Sequence, residues 1–163
     1  MDHTIDLADL ALRLPAKARL IGLDLGTKTI GLAISDVERR LASPLKTLRR
    51  GAFQRDADAL TSIFAEFEIA GLILGLPLDL EGRDGPRTQS TRAFARNLSM
   101  HTSLPIVLWD ERFSTVVVTR SLIANDVSRA RRAQLVDKMA AAYILQGALD
   151  RLGGLMRPQT GRP

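Results

Sequence analysis

The architecture of this chain follows from the segment Arg19-Leu-Ile-Gly-Leu-Asp-Leu-Gly-Thr-Lys-Thr-Ile-Gly-Leu-Ala-Ile-Ser-Asp36, in which two apolar runs flank a short polar turn. This pattern predicts a strand at residues 20–25, a tight turn and a second strand at residues 30–35. Asp24 lies within the first apolar run, where an uncompensated carboxylate would cost several kcal/mol. Gly22 and Gly26 bracket it and indicate that another group approaches the backbone closely. The segment alone is equally consistent with a functional carboxylate and with an Asp capped by backbone amides.

The rest of the chain alternates between predicted strands and helices. Strands are predicted at residues 42–48, 71–75 and 105–109, and helices at 53–67, 88–99, 114–125 and 128–152. Three successive strands followed by helix-separated strands predict an α/β fold with a mixed five-stranded sheet flanked by helices. The first three strands should be antiparallel, and the last two should be parallel additions.

Length and composition predict one compact domain. The chain has 163 residues, of which 45% are apolar and 25% charged, as is typical of globular proteins. We expect an extension at residues 1–18, a single domain at 19–152 and a disordered tail at 153–163. No apolar run reaches the roughly 18 residues of a membrane span. The acidic N-terminus does not resemble a signal peptide, so we expect a cytoplasmic protein without a membrane partner.

The residue types that are missing exclude several kinds of site. The chain has no cysteine and only two histidines, His3 and His101. Thiol nucleophiles, disulfides and zinc–thiolate sites are therefore excluded, and a histidine-based triad is poorly supported. Any bound metal must be held by oxygen ligands, which favours Mg²⁺ or Mn²⁺. The net charge of +5 fits a polyanionic partner, although paired arginines are also common on ordinary solvated surfaces.

Carboxylates also occupy unusual positions at two further places in the chain. Asp137 shares the apolar stripe of the last predicted helix, unless its side chain reaches water or an amide. Asp110 and Glu111 follow the strand at residues 105–109, at the kind of strand end where α/β sheets bind ligands. Alternation along the strand does not choose securely between them. Arg112 could also pair with either one in a simple salt bridge.

Three such carboxylates, if gathered together, would need a divalent cation. Two carboxylates about 4 Å apart repel each other by roughly 4 kcal/mol at an effective dielectric constant near 20. With two metal ions, the same cluster becomes a site for in-line displacement at phosphorus. This chemistry requires neither cysteine nor histidine, so it suits the composition.

Four motifs in this order resemble the YqgF family of Holliday-junction-resolvase-like nucleases, which are implicated in maturing the precursor of 16S ribosomal RNA. The motifs are Gly22–Asp36, Gly75-Leu-Pro77 with Gly82, Asp110-Glu-Arg-Phe-Ser-Thr115, and Asp137-Lys-Met-Ala-Ala141 with Ile144-Leu-Gln146. The resemblance covers about residues 19–152 and implies a ribonuclease-H-like fold.

The resemblance implies roles for individual residues. Asp24, Glu111 and Asp137 would be catalytic acids that bind Mg²⁺ or Mn²⁺ in a two-metal site, which selects Glu111 over Asp110. The substrate would be precursor ribosomal RNA or structured DNA. The residues expected to hold backbone phosphates are Lys28, Arg112, Arg131 and Arg132. Thr29 departs from the family pattern, since a basic residue is common at that position.

Alternative functions remain open at this stage. Within the nucleases, resolution of DNA Holliday junctions is the main competitor to RNA processing. A different class is a non-cleaving nucleic-acid-binding factor in ribosome assembly or transcription. The glycine-rich segment also resembles the first phosphate loop of actin-like ATPases. That interpretation is disfavoured because the chain lacks both the length and the second glycine-rich loop.

Overall fold

A mixed sheet forms the centre of the molecule. The computed structural model describes the backbone of residues 2–113 and 129–156, with side chains for 2–113 and 137–156. The strands are β1 (Thr4–Ile5), β2 (Arg19–Leu25), β3 (Thr29–Ser35), β4 (Ala42–Arg49), β5 (Ile69–Leu76) and β6 (Ile106–Asp110). Within this part of the chain they form one six-stranded sheet in the order β1-β6-β5-β2-β3-β4. The predicted antiparallel pairing of β2, β3 and β4 and the parallel addition of β5 and β6 are confirmed.

Helices cover both faces of the sheet. They are α1 (Leu7–Arg13), α2 (Phe53–Glu66), α3 (Pro86–Leu98) and α4 (Arg129–Met156), and a 3-10 turn spans Glu111–Phe113. On one face of the sheet, α2 and α3 enclose a first apolar core. On the opposite face, α1 and α4 enclose a second. No helix in the described ranges is long and apolar enough to cross a membrane. The helix predicted at 114–125 and its neighbour Ser128 lie outside the described residues.

The structure corrects two predictions at the ends of the chain. The predicted five-stranded sheet gains a sixth strand, because Thr4 and Ile5 pair in parallel with Ile106 and Val107. Two residues are too few to show a strand periodicity, so this part of the 1–18 extension gave no signal. The tail predicted to be disordered from residue 153 is helical as far as Met156. Glycine costs a helix only about 1 kcal/mol, which the buried Leu152 just before it can offset.

Alternation along β2 directs Asp24 toward α4. Ile21 and Leu23 belong to the core beneath α2 and α3, so Gly22 and Asp24 face the opposite side. A Cβ atom on Gly22 would lie 2.8 Å from the Leu145 Cβ and 2.9 Å from the Ala141 carbonyl oxygen. The close approach predicted from Gly22 is therefore made by α4.

Candidate functional site

Asp24 lies at the centre of the candidate site, near the carboxyl end of β2. Its side chain is buried, with 1% of the residue exposed. Gly31 of β3 is its cross-strand partner. The β2–β5 register pairs Leu23 with Leu74, so Gly75 comes beside Asp24 one residue further along. The two strands that neighbour Asp24 thus both carry glycine there, which leaves space above the sheet for other groups.

The space above Gly31 is filled by the α4 backbone at Asp137. A Cβ atom on Gly31 would lie 2.0 Å from the Asp137 carbonyl oxygen and 2.9 Å from the Lys138 nitrogen. The Thr29 hydroxyl donates a hydrogen bond to the Asp137 carboxylate. Asp24, Lys28, Thr29 and Asp137 all line one open cleft of about 510 Å³. The predicted placement of Asp137 on the sheet-facing side of its helix agrees with this arrangement.

The space above Gly75 is filled by the side chains of Ile144 and Glu111. A Cβ atom on Gly75 would lie 2.8 Å from Glu111 Oε1. Glu111 is buried, with 7% exposed, and it starts the 3-10 turn that follows β6. Adjacent strands are about 4.8 Å apart, so Glu111 lies roughly one strand spacing from Asp24, on the side opposite Asp137. The structure therefore brings all three predicted carboxylates to the carboxyl end of β2.

The three carboxylates surround this strand end without closing on one point. Among the described residues, no three acidic or histidine side chains are close enough to share a single metal ion as they stand. Glu111 lies over Gly75, whereas Asp137 lies over Gly31 and is oriented by Thr29. An oxygen-only set on two sides of a buried central carboxylate is chemically suited to hard divalent cations such as Mg²⁺.

Asp110 forms a salt bridge with the neighbouring Arg112. Arg112 donates from Nη2 to Asp110 Oδ2 at 2.6 Å, and its backbone nitrogen donates to Oδ1 at 2.9 Å. Hydrogen bonds from the Arg112 side chain are the main reason that the pKa of Asp110 lies below its ordinary value. Arg112 Nη1 also donates to the Leu80 carbonyl oxygen at 3.3 Å. Asp110 is thus held in a salt bridge with Arg112, and the Glu111 side chain lies over Gly75 at the site.

The predicted phosphate-binding residues fall into three groups. Lys28 is exposed and lines the cleft. Arg112 holds Asp110 and the loop at Leu80. Arg131 and Arg132 belong to the first two turns of α4, and their side chains lie outside the described residues.

Sequence reasoning missed one cleft residue and one hydrogen bond. Arg87, at the start of α3, also lines the cleft beside Asp24. No local pattern distinguished it from other surface arginines, since its position depends on how α3 packs against the sheet. The sequence identifies Thr29 only as a departure from the family pattern. Its hydrogen bond to Asp137 shows what a threonine contributes there.

Comparisons with known proteins identify the family of this chain. Residues 18–151 match a family model described as "RuvX: Holliday junction resolvase". A protein of Methylocella silvestris named "Putative pre-16S rRNA nuclease" is 60% identical over 148 residues, covering 91% of this chain and 92% of the relative. A protein of the same name from Rhodopseudomonas palustris (strain TIE-1) is 57% identical over 155 residues, covering 95% and 97%.

A solved structure supports the fold. It is titled "T. thermophilus RuvC in complex with Holliday junction substrate" and aligns with a TM-score of 0.54 at 12% identity. The alignment covers 83% of this chain and 96% of that one. At such low identity the likeness concerns the fold alone.

Proposed function

The chain belongs to the RuvX family of nucleases, and we propose that it is a metal-dependent endonuclease that processes the 5′ end of precursor 16S ribosomal RNA. The family assignment confirms the resemblance drawn from the four sequence motifs. Relatives that are 57–60% identical over nearly their whole length carry a name that specifies this RNA. That name supports precursor ribosomal RNA as the substrate proposed here.

One observation carries the proposal: Asp24, Glu111 and Asp137 lie around the carboxyl end of β2, with Asp24 between the other two. Gly31 and Gly75 leave the space in which Asp137 and Glu111 approach the buried Asp24 from opposite sides. Carboxylates that lie about one strand spacing apart repel one another, and divalent cations relieve this repulsion. Metal-dependent phosphodiester hydrolysis uses a cluster of this kind.

Asp24, Glu111 and Asp137 would hold Mg²⁺ or Mn²⁺, since all three supply the oxygen ligands that these ions prefer. Bound in pairs, such ions supply activation of water and stabilisation of the leaving oxygen. The protein's own residues prepare the site for that chemistry. Thr29 fixes the orientation of the Asp137 carboxylate. Burial holds Asp24 in one position between the other two acids.

Basic groups beside the acids would hold the substrate backbone. Lys28 lines the same cleft as Asp24 and is exposed, so its ammonium group can approach a phosphate. We assign Arg131 and Arg132 the same task, because they precede Asp137 on α4 by about one and a half turns. Arg112, which follows Glu111 directly, would contribute positive charge near the site while it holds Asp110. Contacts of this type give affinity without sequence choice.

A second candidate function is the resolution of DNA Holliday junctions. The family description names that activity, and a RuvC structure with a junction substrate shares the fold. The more similar relatives carry the ribosomal RNA name, so RNA is the preferred substrate. A factor that binds RNA without cleaving it is the third alternative.

The experiment compares wild-type protein with Asp24→Asn on three substrates: precursor 16S RNA, single-stranded DNA and a four-way DNA junction. With Mg²⁺ or Mn²⁺ present, we expect wild-type cleavage of the RNA. Asp24→Asn should lower the cleavage rate by more than the roughly 10–100-fold loss that is typical when a residue hydrogen-bonded to a metal ligand is changed. Asp58→Asn serves as a matched control, since Asp58 is an exposed carboxylate on α2.

Each outcome separates the alternatives. Equal cleavage by wild type and Asp24→Asn would contradict the assignment of the catalytic acids. Cleavage of the junction but not of the RNA would favour the resolvase. Tight RNA binding without cleavage by either protein would favour the binding factor.

A further inference from the structure

A small basic pocket adjoins the cleft that contains the carboxylates. It has a volume of about 50 Å³, against about 510 Å³ for the cleft. The two share the wall formed by Gly26, Thr27 and Arg87, so a strand in the cleft has direct access to the pocket. Arg50, Ser90 and Thr91 complete its polar lining. Neither Arg50 nor Arg87 has a role in the proposed chemistry.

The two arginines converge on consecutive carbonyl groups at the end of β2. Arg50 donates from Nη1 to the Gly26 carbonyl oxygen at 2.6 Å, and its guanidinium carbon lies 5.8 Å from the centre of the Phe94 ring. Arg87 Nη2 lies 3.5 Å from the Leu25 carbonyl oxygen. These contacts come from one nitrogen of each guanidinium group. Since a guanidinium group has five N–H donors, most of them remain available to a ligand.

The pocket lies close to the carboxylates but does not overlap them. Leu25 and Gly26 directly follow Asp24, and two residues of extended strand span roughly 7 Å. A group bound between the two arginines is therefore separate from a group held at the carboxylates. It would still lie on the same nucleic-acid strand.

The lining selects an anion with several oxygen acceptors. Two guanidinium groups match the geometry of phosphate, which accepts paired N–H donors from arginine. Thr27 and Ser90 add hydroxyl groups to the same lining. Other arginines of the protein, including Arg83, Arg92 and Arg112, are instead paired with carboxylates.

We infer that Arg50 and Arg87, with Thr27 and Ser90, form a phosphate subsite that binds a backbone phosphate next to the one being cleaved. This inference rests on the proposed function, because it takes the substrate to be a nucleic-acid strand lying in the cleft. The subsite fixes the position of the strand along the cleft. It thereby selects which phosphodiester bond lies at the carboxylates.

The test measures RNA binding with Asp24→Asn as the background, so that no substrate is consumed. The probe is a single-stranded RNA oligonucleotide, and its dissociation constant is measured by fluorescence anisotropy across a series of salt concentrations. Arg87→Gln should weaken binding about tenfold, as expected for the loss of a charged hydrogen bond. The slope of log affinity against log salt should fall by about 0.7, which corresponds to one single-strand phosphate contact.

Two further variants exclude a merely structural effect. Arg96→Gln makes the same charge change on the exposed surface of the same helix, nine residues away, and should bind RNA within about twofold of the background. Arg50→Lys keeps the charge but loses the planar fork, and should weaken binding while the protein stays folded. An RNA with one methylphosphonate at the subsite position should bind the background protein and Arg87→Gln equally.

The results separate the failure of this inference from that of the proposed function. Unchanged affinity and salt slope in both Arg87→Gln and Arg50→Lys would overturn the subsite, even if the wild type cleaves RNA. Weaker binding by Arg87→Gln would support the subsite, even if wild type and Asp24→Asn cleave equally. Weakening by Arg96→Gln equal to that by Arg87→Gln would also overturn it.

Discussion

Glycine at position 31 is required by the backbone of α4 rather than by its own conformation. The Asp137 carbonyl oxygen occupies the place that a Cβ atom on residue 31 would take. Because Gly31 is also the cross-strand partner of Asp24, the helix is seated directly beside the buried carboxylate. A single missing side chain thus determines how closely Asp137 can approach Asp24.

Gly31→Ala should therefore move Asp137 away from the site. The added methyl group would lie 2.0 Å from a backbone oxygen, so the helix must shift. Overpacking of this kind typically costs about 1–3 kcal/mol in the free energy of unfolding. We expect a lower urea midpoint together with a loss of metal-dependent cleavage.

Gly153→Ala is the matched control for this substitution. Residue 153 is a helical glycine, and an added methyl group there would have no neighbouring atom within 4 Å, so alanine should raise stability by up to about 1 kcal/mol. Cleavage should be unchanged, because the position lies about four turns beyond Asp137. Equal stability of Gly31→Ala and wild type would contradict the close approach of α4.

Arg112 joins the end of β6 to the loop between β5 and α3. It binds Asp110 through its side chain and backbone, and it donates to the Leu80 carbonyl oxygen. Gly82 has a φ of +81°, and a Cβ atom added there would lie 3.0 Å from Arg112 Nη2. Glycine at this position therefore lets the loop pass close to the Arg112 side chain. Glu111 lies between the two bonded residues, so this link also holds Glu111 over the site.

The Asp110–Arg112 link should make stability depend on pH in the acid range. Hydrogen bonds from Arg112 lower the pKa of Asp110 from its ordinary value of 3.8. A lowered pKa means that the stabilisation is present above pH 3.8 and is lost as the pH falls through the lower native value. Wild type should therefore have a higher Tm than Asp110→Asn at neutral pH, and the difference should shrink steadily below pH 3.8.

Thermal unfolding of both proteins between neutral and strongly acidic pH checks this prediction. In an Arg112→Gln background, Asp110→Asn should change the Tm much less, because the partner of the carboxylate is gone. A Tm difference between wild type and Asp110→Asn that stayed constant to the lowest pH would show that the link does not stabilise the fold.

The elements that sequence predicted well are those with a local apolar pattern. Strands β2 and β3, the helix beginning at Phe53 and the misplaced Asp24 all follow from residue spacing within a few turns or strand steps. The strand Thr4–Ile5 could not be predicted, since it exists only because β6 offers an open edge. Arg50 and Arg87 meet for a similar reason: their distance in sequence is bridged by the packing of α3 and β4.

The molecule as folded combines a net positive charge with an acidic site. The net charge is +5, yet three carboxylates gather at the end of the central strand. The positive surface attracts a polyanion over a distance of about one Debye length, roughly 8 Å at physiological salt. The carboxylates would repel the same polyanion at contact unless cations neutralise them. Bound metal should therefore raise the affinity for the substrate, and bound substrate should raise the affinity for the metal.

Global stability should therefore report metal binding. An ion that binds only the folded state stabilises it by about 2.7 kcal/mol at 100 times its dissociation constant. For a chain of this size, each kcal/mol raises the Tm by roughly 2–4 °C, so saturating Mg²⁺ or Mn²⁺ should raise the wild-type Tm by about 5–10 °C. Asp24→Asn should lose most of this rise, because the central ligand is missing, whereas the exposed surface variant Asp58→Asn should keep it. Differential scanning fluorimetry over a metal titration measures all three proteins without any substrate. A titration with Ca²⁺, which also prefers oxygen ligands, shows whether the site discriminates between ions by size. An equal rise in Tm for wild type and Asp24→Asn would place the metal away from β2.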